Sequence, residues 1–290
     1  MRDPFVLAHE GFYYLYGSTD PDIWRGPGIG FDVYVGAAPG IFTDFGQAQP
    51  AFRPPAGFWS QTNFWAPEVY PWNGDFIMFA TFLPINGQRG TAVLRATSPL
   101  GPFLPFSTGP VTPPDWACLD GSLVIDQAGD PWMVFCHEWT QVGDGQICAL
   151  RLTADLRAGI GQPQVLFSAS QAGWSAPLAG RPAGGYVTDG PNLRYLSDGR
   201  LAMVWSSFDR AGRYAIGLAL SDSGAVTGGW RQVERPLWDG DGGHGMVFAD
   251  PDNRLFLAIH TPNASPNERP IFIGLNQTDA GLTPTGQVIR

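Results

Sequence analysis

Five times along the chain a polar residue leads into a short apolar run, a turn, and a second apolar run that ends in small or aromatic residues. The first copy runs from Asp3 through Phe5-Val6-Leu7 to Tyr13-Tyr14-Leu15-Tyr16-Gly17-Ser18. The second opens at Glu68 and ends Phe76-Ile77-Met78-Phe79-Ala80-Thr81. The third opens at Asp120 and ends Trp132-Met133-Val134-Phe135-Cys136-His137-Glu138-Trp139. The fourth opens at Asp189 and ends Leu201-Ala202-Met203-Val204-Trp205-Ser206-Ser207-Phe208. The fifth opens at His244 and ends Leu255-Phe256-Leu257-Ala258-Ile259-His260. Runs of this length bounded by turn residues predict strands, not helices. A third run follows in each copy, at 31–37, 90–96, 146–152, 214–220 and 271–275. A weaker fourth follows at 48–53, 103–106, 164–167, 231–237 and 286–290. The unequal spacing suits blades with variable loops better than a strict solenoid. The expected fold is all-β: residues 1–290 form a single five-bladed β-propeller with about four antiparallel strands per blade. Each blade is built from consecutive sequence, with no swapped closing strand.

Side chains alternate along a strand, and the second strand of a blade returns to the end where the first began. The five openings and the ends of the second strands therefore share one face. If the units are equivalent, Asp3, Glu68, Asp120, Asp189 and His244 stand at equivalent places around one axis. The links into each blade bring Phe58-Trp59, Asp115-Trp116, Trp174 and Trp238 to the same face. Convergent carboxylates, rimmed by tryptophans and short of cations, suit a neutral polyhydroxylated ligand. Sugars stack their C–H faces on indole and bond their hydroxyls to carboxylates.

Composition narrows the partners. The chain of 290 residues carries a formal net charge of −9, and its cations are all arginine. No basic stripe is visible, so nucleic acid is not an expected partner. No apolar run approaches the ~20 residues of a membrane span. Cys118, Cys136 and Cys148 have no metal-type spacing and cannot all pair internally. A reducing or thiol-neutral compartment fits them, which favours a cytoplasmic setting, although an upstream segment removed before the first repeat would also fit. There is no Gly-x-Ser-x-Gly, no phosphate loop and no His-Glu-x-x-His.

The candidate chemistry is a set of carboxylates. Asp3, Asp120 and Asp189 each precede a first strand, although each could also be a turn residue. At a sugar site one carboxylate can activate water while another, kept protonated by burial or a like charge, donates to the leaving oxygen. Glu138, at the end of a second strand, competes with Asp189 for the acid role. His137 and Trp139 flank it as substrate contacts. Trp65 and Glu68 offer a sugar platform and a hydroxyl acceptor, or core packing. His244, between glycines, can hydrogen-bond a carboxylate or hold an axial ion. One histidine cannot build a zinc site, so such an ion would be of calcium type and held largely by water. No cofactor is otherwise required.

Arg2-Asp3-Pro4-Phe5, Trp65-Ala66-Pro67-Glu68-Val69, Ser98-Pro99-Leu100-Gly101-Pro102-Phe103, Asp120-Gly121-Ser122-Leu123, Thr188-Asp189-Gly190-Pro191 and Gly243-His244-Gly245 together resemble the marks of family 43 glycoside hydrolases. The resemblance spans the whole chain. It implies a five-bladed propeller and inverting hydrolysis of arabinosyl, xylosyl or related linkages, with an exo-acting α-L-arabinofuranosidase foremost and a β-xylosidase as the alternative. A carbohydrate-binding propeller without turnover is the competing class. The resemblance maps Asp3 onto the general base, Asp120 onto the carboxylate that tunes the acid, Asp189 onto the general acid, and His244 onto an axial histidine linked to calcium. One departure stands out: the acid slot of the family holds glutamate, and this chain has Asp189. The shorter arm withdraws the carboxyl by about 1.5 Å.

Overall fold

The computed structural model describes residues 1–37, 46–181 and 184–290. Their strands form five separate four-stranded antiparallel sheets, each in simple sequence order. The five first strands are Arg2–His9, Ser60–Trp72, Cys118–Ile125, Asp189–Tyr195 and Gly243–Ala249. These sheets are blades 1 to 5 of a β-propeller.

The second strands explain why the pattern was so legible. In Asp75–Pro84 and Leu201–Phe208 nearly every residue is buried. A central strand has a neighbouring blade on each face, so its sequence reads as a continuous apolar run instead of an alternating one. The core is accordingly a set of slabs between blades. One joins blades 1, 2 and 5 around Phe5, Phe79's neighbour Met78, and Phe248. Others join blades 2 and 3 around Phe79 and Phe135, blades 3 and 4 around Trp205, and blades 4 and 5 around Leu257. The third strands fall where the pattern put them, as in Gly90–Ala96 and Gln146–Leu152. The fourth strands were harder to bound. The fourth blade's is only Trp230–Gln232, whereas those of blades 3 and 5 extend to Gly159–Ser168 and Gly281–Ile289. These outer strands are largely exposed, so their sequences carry little burial signal.

Each first strand is interrupted near its start by a β-bulge. The register shifts between Arg2 and Phe5, Trp65 and Glu68, Leu119 and Ser122, Asp189 and Asn192, and Gly243 and Met246. One residue in each bulge adopts positive φ: Asp3, Ala66, Asp120, Gly190 and His244. Bulges re-aim side chains and are common beside active sites. Here the freed N–H groups tie neighbouring blades together. Ala66 donates to Ser18 Oγ at 2.9 Å, Asp120 to Thr81 Oγ1 at 2.9 Å, and His244 to Ser206 Oγ at 2.8 Å. Asp3 donates to His260 Nδ1 of the last blade at 3.2 Å.

The equivalence expected from sequence is therefore corrected. Asp3, Asp120 and His244 do share one structural position. In blade 2 that position is Ala66, and Glu68 lies two residues deeper. In blade 4 it is Gly190, and Asp189 lies one residue earlier, paired with Ser206 as Arg2 is with Ser18. Openings alike in residue type occupy different positions because the bulge separates them.

The ring closes without exchange of a strand, since the last strand pairs only within blade 5. Side chains and the chain terminus make the seam. The Met1 amino group donates to the Glu268 carbonyl at 3.2 Å, and Arg2 pairs with the Glu268 carboxylate at 2.6 Å.

Thr81→Val keeps the shape of a fully buried side chain but leaves the Asp120 N–H without its acceptor. Loss of about 1–3 kcal/mol of stability is expected, read as a lower midpoint in urea unfolding.

Candidate active site

The bulges aim their side chains at one mouth of the channel, where a cavity of about 620 Å³ is lined by Asp3, Asp120, Asp189, Glu138, Trp65, Trp139 and His244, among others. The three aspartates lie close enough to perturb one another's charge. They are nevertheless held differently.

Asp3 accepts a hydrogen bond from Ser18 Oγ at 2.5 Å, and His244 Nδ1 stands 3.4 Å from its other oxygen. Burial alone would push its carboxyl up. The charges of His244 and Arg2, with the Ser18 bond, outweigh burial and hold it below the usual carboxylate value. His260 is itself fully buried, and burial holds its pKa down at about 3. Asp189 experiences the opposite field. Burial, then the charge of Asp120, push its pKa up to about 7, although His244 and a 2.8 Å bond from the Tyr214 hydroxyl restrain it. Asp120 is pushed well up by burial and by Asp3. Its Oδ2 accepts the Gly190 N–H at 2.9 Å and lies 3.6 Å from His244 Nδ1. The Gly190 amide turns there because Cys136 stands in the strand position that Ser18, Thr81 and Ser206 hold in other blades.

Glu138 reaches the cavity at the N-cap of the short helix Trp139–Val142. It is ion-paired with Arg89 and accepts from Thr140 Oγ1 at 3.1 Å. Arg89 also donates to Asn63 Oδ1 at 3.2 Å and lies over the Trp65 ring, 4.6 Å from its centre. Trp65 is anchored by its indole N–H on the Ile23 carbonyl at 2.6 Å.

Other expectations need correction. Glu68 does not line the cavity. It lies below in the channel with Ser122 and Asn192, bonded by Tyr70, and burial raises its pKa to about 7. His137 is also absent from the lining. Its ring stacks on Trp116 at 4.2 Å and bonds Gln141 at 2.7 Å, because the strand turns there and Glu138, Trp139 and Thr140 face the mouth instead. The tryptophans at the rim are Trp24, Trp65 and Trp139. Trp59, Trp116 and Trp174 are instead packed against aromatic neighbours, and Trp238 against apolar residues of blades 4 and 5. Nor is the face short of cations, since Arg2, Arg89 and Arg181 line it. Arg2 lies over Trp24, and Arg181 over Trp139.

Sequence reasoning missed Arg89 and Tyr214. A usable signal existed. Arg89 immediately precedes a third strand and Tyr214 opens one, and hairpins joining second to third strands open on this face. For a metal, the axis offers one imidazole, whose Nδ1 faces two carboxylates. Among the described residues no group of three His, Cys, Asp or Glu side chains is arranged to hold an ion. The donor set therefore fits only an ion carried mainly by water, as a calcium-type ion can be, with His244 as its protein contact.

Buried carboxylates in opposed electrostatic states beside indole walls are the groups that hydrolysis of a glycosidic bond calls for. Residues 1–277 match the profile described as Glycosyl hydrolases family 43, and the chain belongs to that family of inverting enzymes. Among solved structures, it is 39% identical to an endo-arabinase from Bacteroides thetaiotaomicron VPI-5482, with a TM-score of 0.87 and coverage of 96% of this chain and 95% of that one. A thermostable family-43 glycoside hydrolase is 25% identical, with a TM-score of 0.83 and coverage of 100% and 94%. An endo-1,4-beta-xylanase from Bacteroides thetaiotaomicron VPI-5482, 24% identical with a TM-score of 0.74 and coverage of 99% and 95%, shares the fold. No curated protein matches the chain.

Arg89→Met should cost up to about 3 kcal/mol, because Glu138 is left buried without its partner. The double variant Arg89→Met/Glu138→Gln should recover most of the loss. Unfolding midpoints of the two variants check this.

Proposed function

We propose that this protein hydrolyses α-L-arabinosyl linkages in arabinan-type chains, with Asp3 as general base and Asp189 as general acid. The observation that carries the roles is the opposed state of two carboxyls in one cavity: Asp3 is held down and Asp189 is held up to about 7. Environments that push two acids apart assign them to opposite tasks. Asp3 takes a proton from water, which attacks the anomeric carbon. Asp189 gives its proton to the glycosidic oxygen as the C–O bond breaks. The product carries the inverted anomeric hydroxyl, and solvent exchange restores both carboxyls. Asp120 stands between them. Its charge helps to keep the Asp189 proton in place, and its position suits it to hold a sugar hydroxyl.

Glu138 is assigned a supporting role. Its carboxyl is already engaged by Arg89 and by the Thr140 hydroxyl. Together Glu138 and Arg89 brace Trp65, which with Trp139 supplies the stacking walls. The cavity of about 620 Å³ is in the ~300–1,000 Å³ range of small-molecule sites, so an oligosaccharide suits it better than one pentose. The choice of arabinose rests on the likeness to the 39% identical endo-arabinase. An axial ion bound to the other nitrogen of His244 would leave the proton on Nδ1, facing Asp3 and Asp120.

Product analysis on linear arabinan tests the substrate. Arabinose from the first minutes gives the exo mode expected from the sequence, and a ladder of oligosaccharides gives an endo mode. Turnover of xylo-oligosaccharides with none of arabinan would overturn the sugar assignment.

Asp3→Asn should lower kcat by about 10²–10⁴-fold while ligand binding, measured by calorimetry, survives. The pH profile should be a bell. Activity needs Asp3 ionised, so it falls at acid pH through a value below the usual carboxylate range. It also needs Asp189 protonated, so it falls as pH rises through about 7. Because Asp189 and Asp120 interact, this basic limb belongs to the pair.

A further inference from the structure

We propose that the Tyr214 hydroxyl is a positioning group that holds the Asp189 carboxyl in one orientation and directs its proton to the free oxygen. This rests on the assignment of Asp189 as the acid. An aspartate carboxyl sits close to its backbone and has few ways to reach a bond outside the strand. Its aim must be fixed by a neighbour. Tyr214 opens the third strand of the same blade, Tyr214–Ser221, and donates to Asp189 Oδ2 at 2.8 Å. With Oδ2 occupied as an acceptor, the acid's own proton belongs on Oδ1.

The hydroxyl is itself immobilised. The Tyr214 ring is buried between Phe208, with centres 5.2 Å apart, and His260, 5.8 Å apart and nearly parallel. Gly243 gives it room: a Cβ there would lie 2.2 Å from the ring. Burial and the adjacent Asp189 raise the phenol well above its usual value, so it stays a donor throughout the working range. The same seam that closes blade 5 onto blade 1 thus also braces the acid, since Asp3 donates its N–H to His260. Asp120, His244 and Glu138 are the other groups whose charges reach Asp189. Among the described residues, the side chain that donates a hydrogen bond to its carboxyl is that of Tyr214.

The test compares an arabino-oligosaccharide with its 4-nitrophenyl glycoside, whose leaving group needs no protonation. Tyr214→Phe removes one oxygen. It should lower kcat on the oligosaccharide by about 10- to 10²-fold, the scale of a misplaced catalytic group, with KM little changed. Loss on the nitrophenyl glycoside should be at most a few-fold. The basic limb of the pH profile should move up, because a bond that favours the anion is gone. Equal loss on both substrates, no loss on either, or an unmoved limb overturns the proposal. Gly243→Ala keeps the hydroxyl but displaces the ring, and it must show the same selective loss. It decides the matter if the phenylalanine variant does not fold. Asp189→Asn, run alongside, separates the two levels. Without selective retention of the nitrophenyl substrate in that variant, the acid assignment itself fails. If that variant shows it and Tyr214→Phe does not, only the positioning role fails.

Discussion

The backbone amide freed at the bulge of each first strand is the contact on which both the ring and its chemistry depend. A strand in regular pairing sends its N–H groups to its own blade. The bulge turns one N–H outward, and in blades 2, 3 and 5 it finds a hydroxyl on the second strand of the preceding blade. Blade 1 reaches His260 in the same way and so closes the circle. Positive φ at a non-glycine residue costs energy. It persists at Asp3, Asp120 and His244 because the hydrogen bond from the amide to the preceding blade requires it. The same twist points those side chains into the mouth of the channel. Stability and function therefore share one device.

Blade 4 departs from this rule in an informative way. Cys136 replaces the hydroxyl in the preceding blade, and the Gly190 amide bonds the Asp120 carboxylate instead. With glycine at the bulge, the carboxyl of this strand that reaches the mouth is that of the residue before it, Asp189. The acid thus enters from a different backbone position than the base. This lets it bond Tyr214 and feel the charge of Asp120, while Asp3 lies among cationic and hydroxyl partners. Two identical side chains acquire opposite proton affinities from a one-residue difference in register.

Much of this was legible in the chain. Central strands such as Leu201–Phe208 have a blade on each face, so burial shows directly as an unbroken apolar run. Asp3, Asp120, Asp189, Glu138, Trp65, Trp139 and His244 stood out as polar or aromatic residues at the ends of such runs, and all of them reach the cavity. His137 carried the same signal but turned inward against Trp116, because adjacent residues at a strand end face opposite ways. Glu68 carried it too and lies a layer down. Arg89 and Tyr214 signalled only by place, at hairpins that open on this face, since an arginine before a strand or a tyrosine at its start is by type ordinary in any β protein.

The number of blades, the inner three strands of each and the face on which the polar ends gather can be read from the chain alone. Those features are local: they follow from side-chain alternation and from burial of each short segment. Which openings are equivalent, which arginines pair with Glu138 and Glu268, and which aspartate is held charged emerge when the blades pack together. Each of those depends on a hydrogen bond or charge contributed by another strand or a neighbouring blade. A contact between residues so distant in sequence leaves no periodicity in either segment.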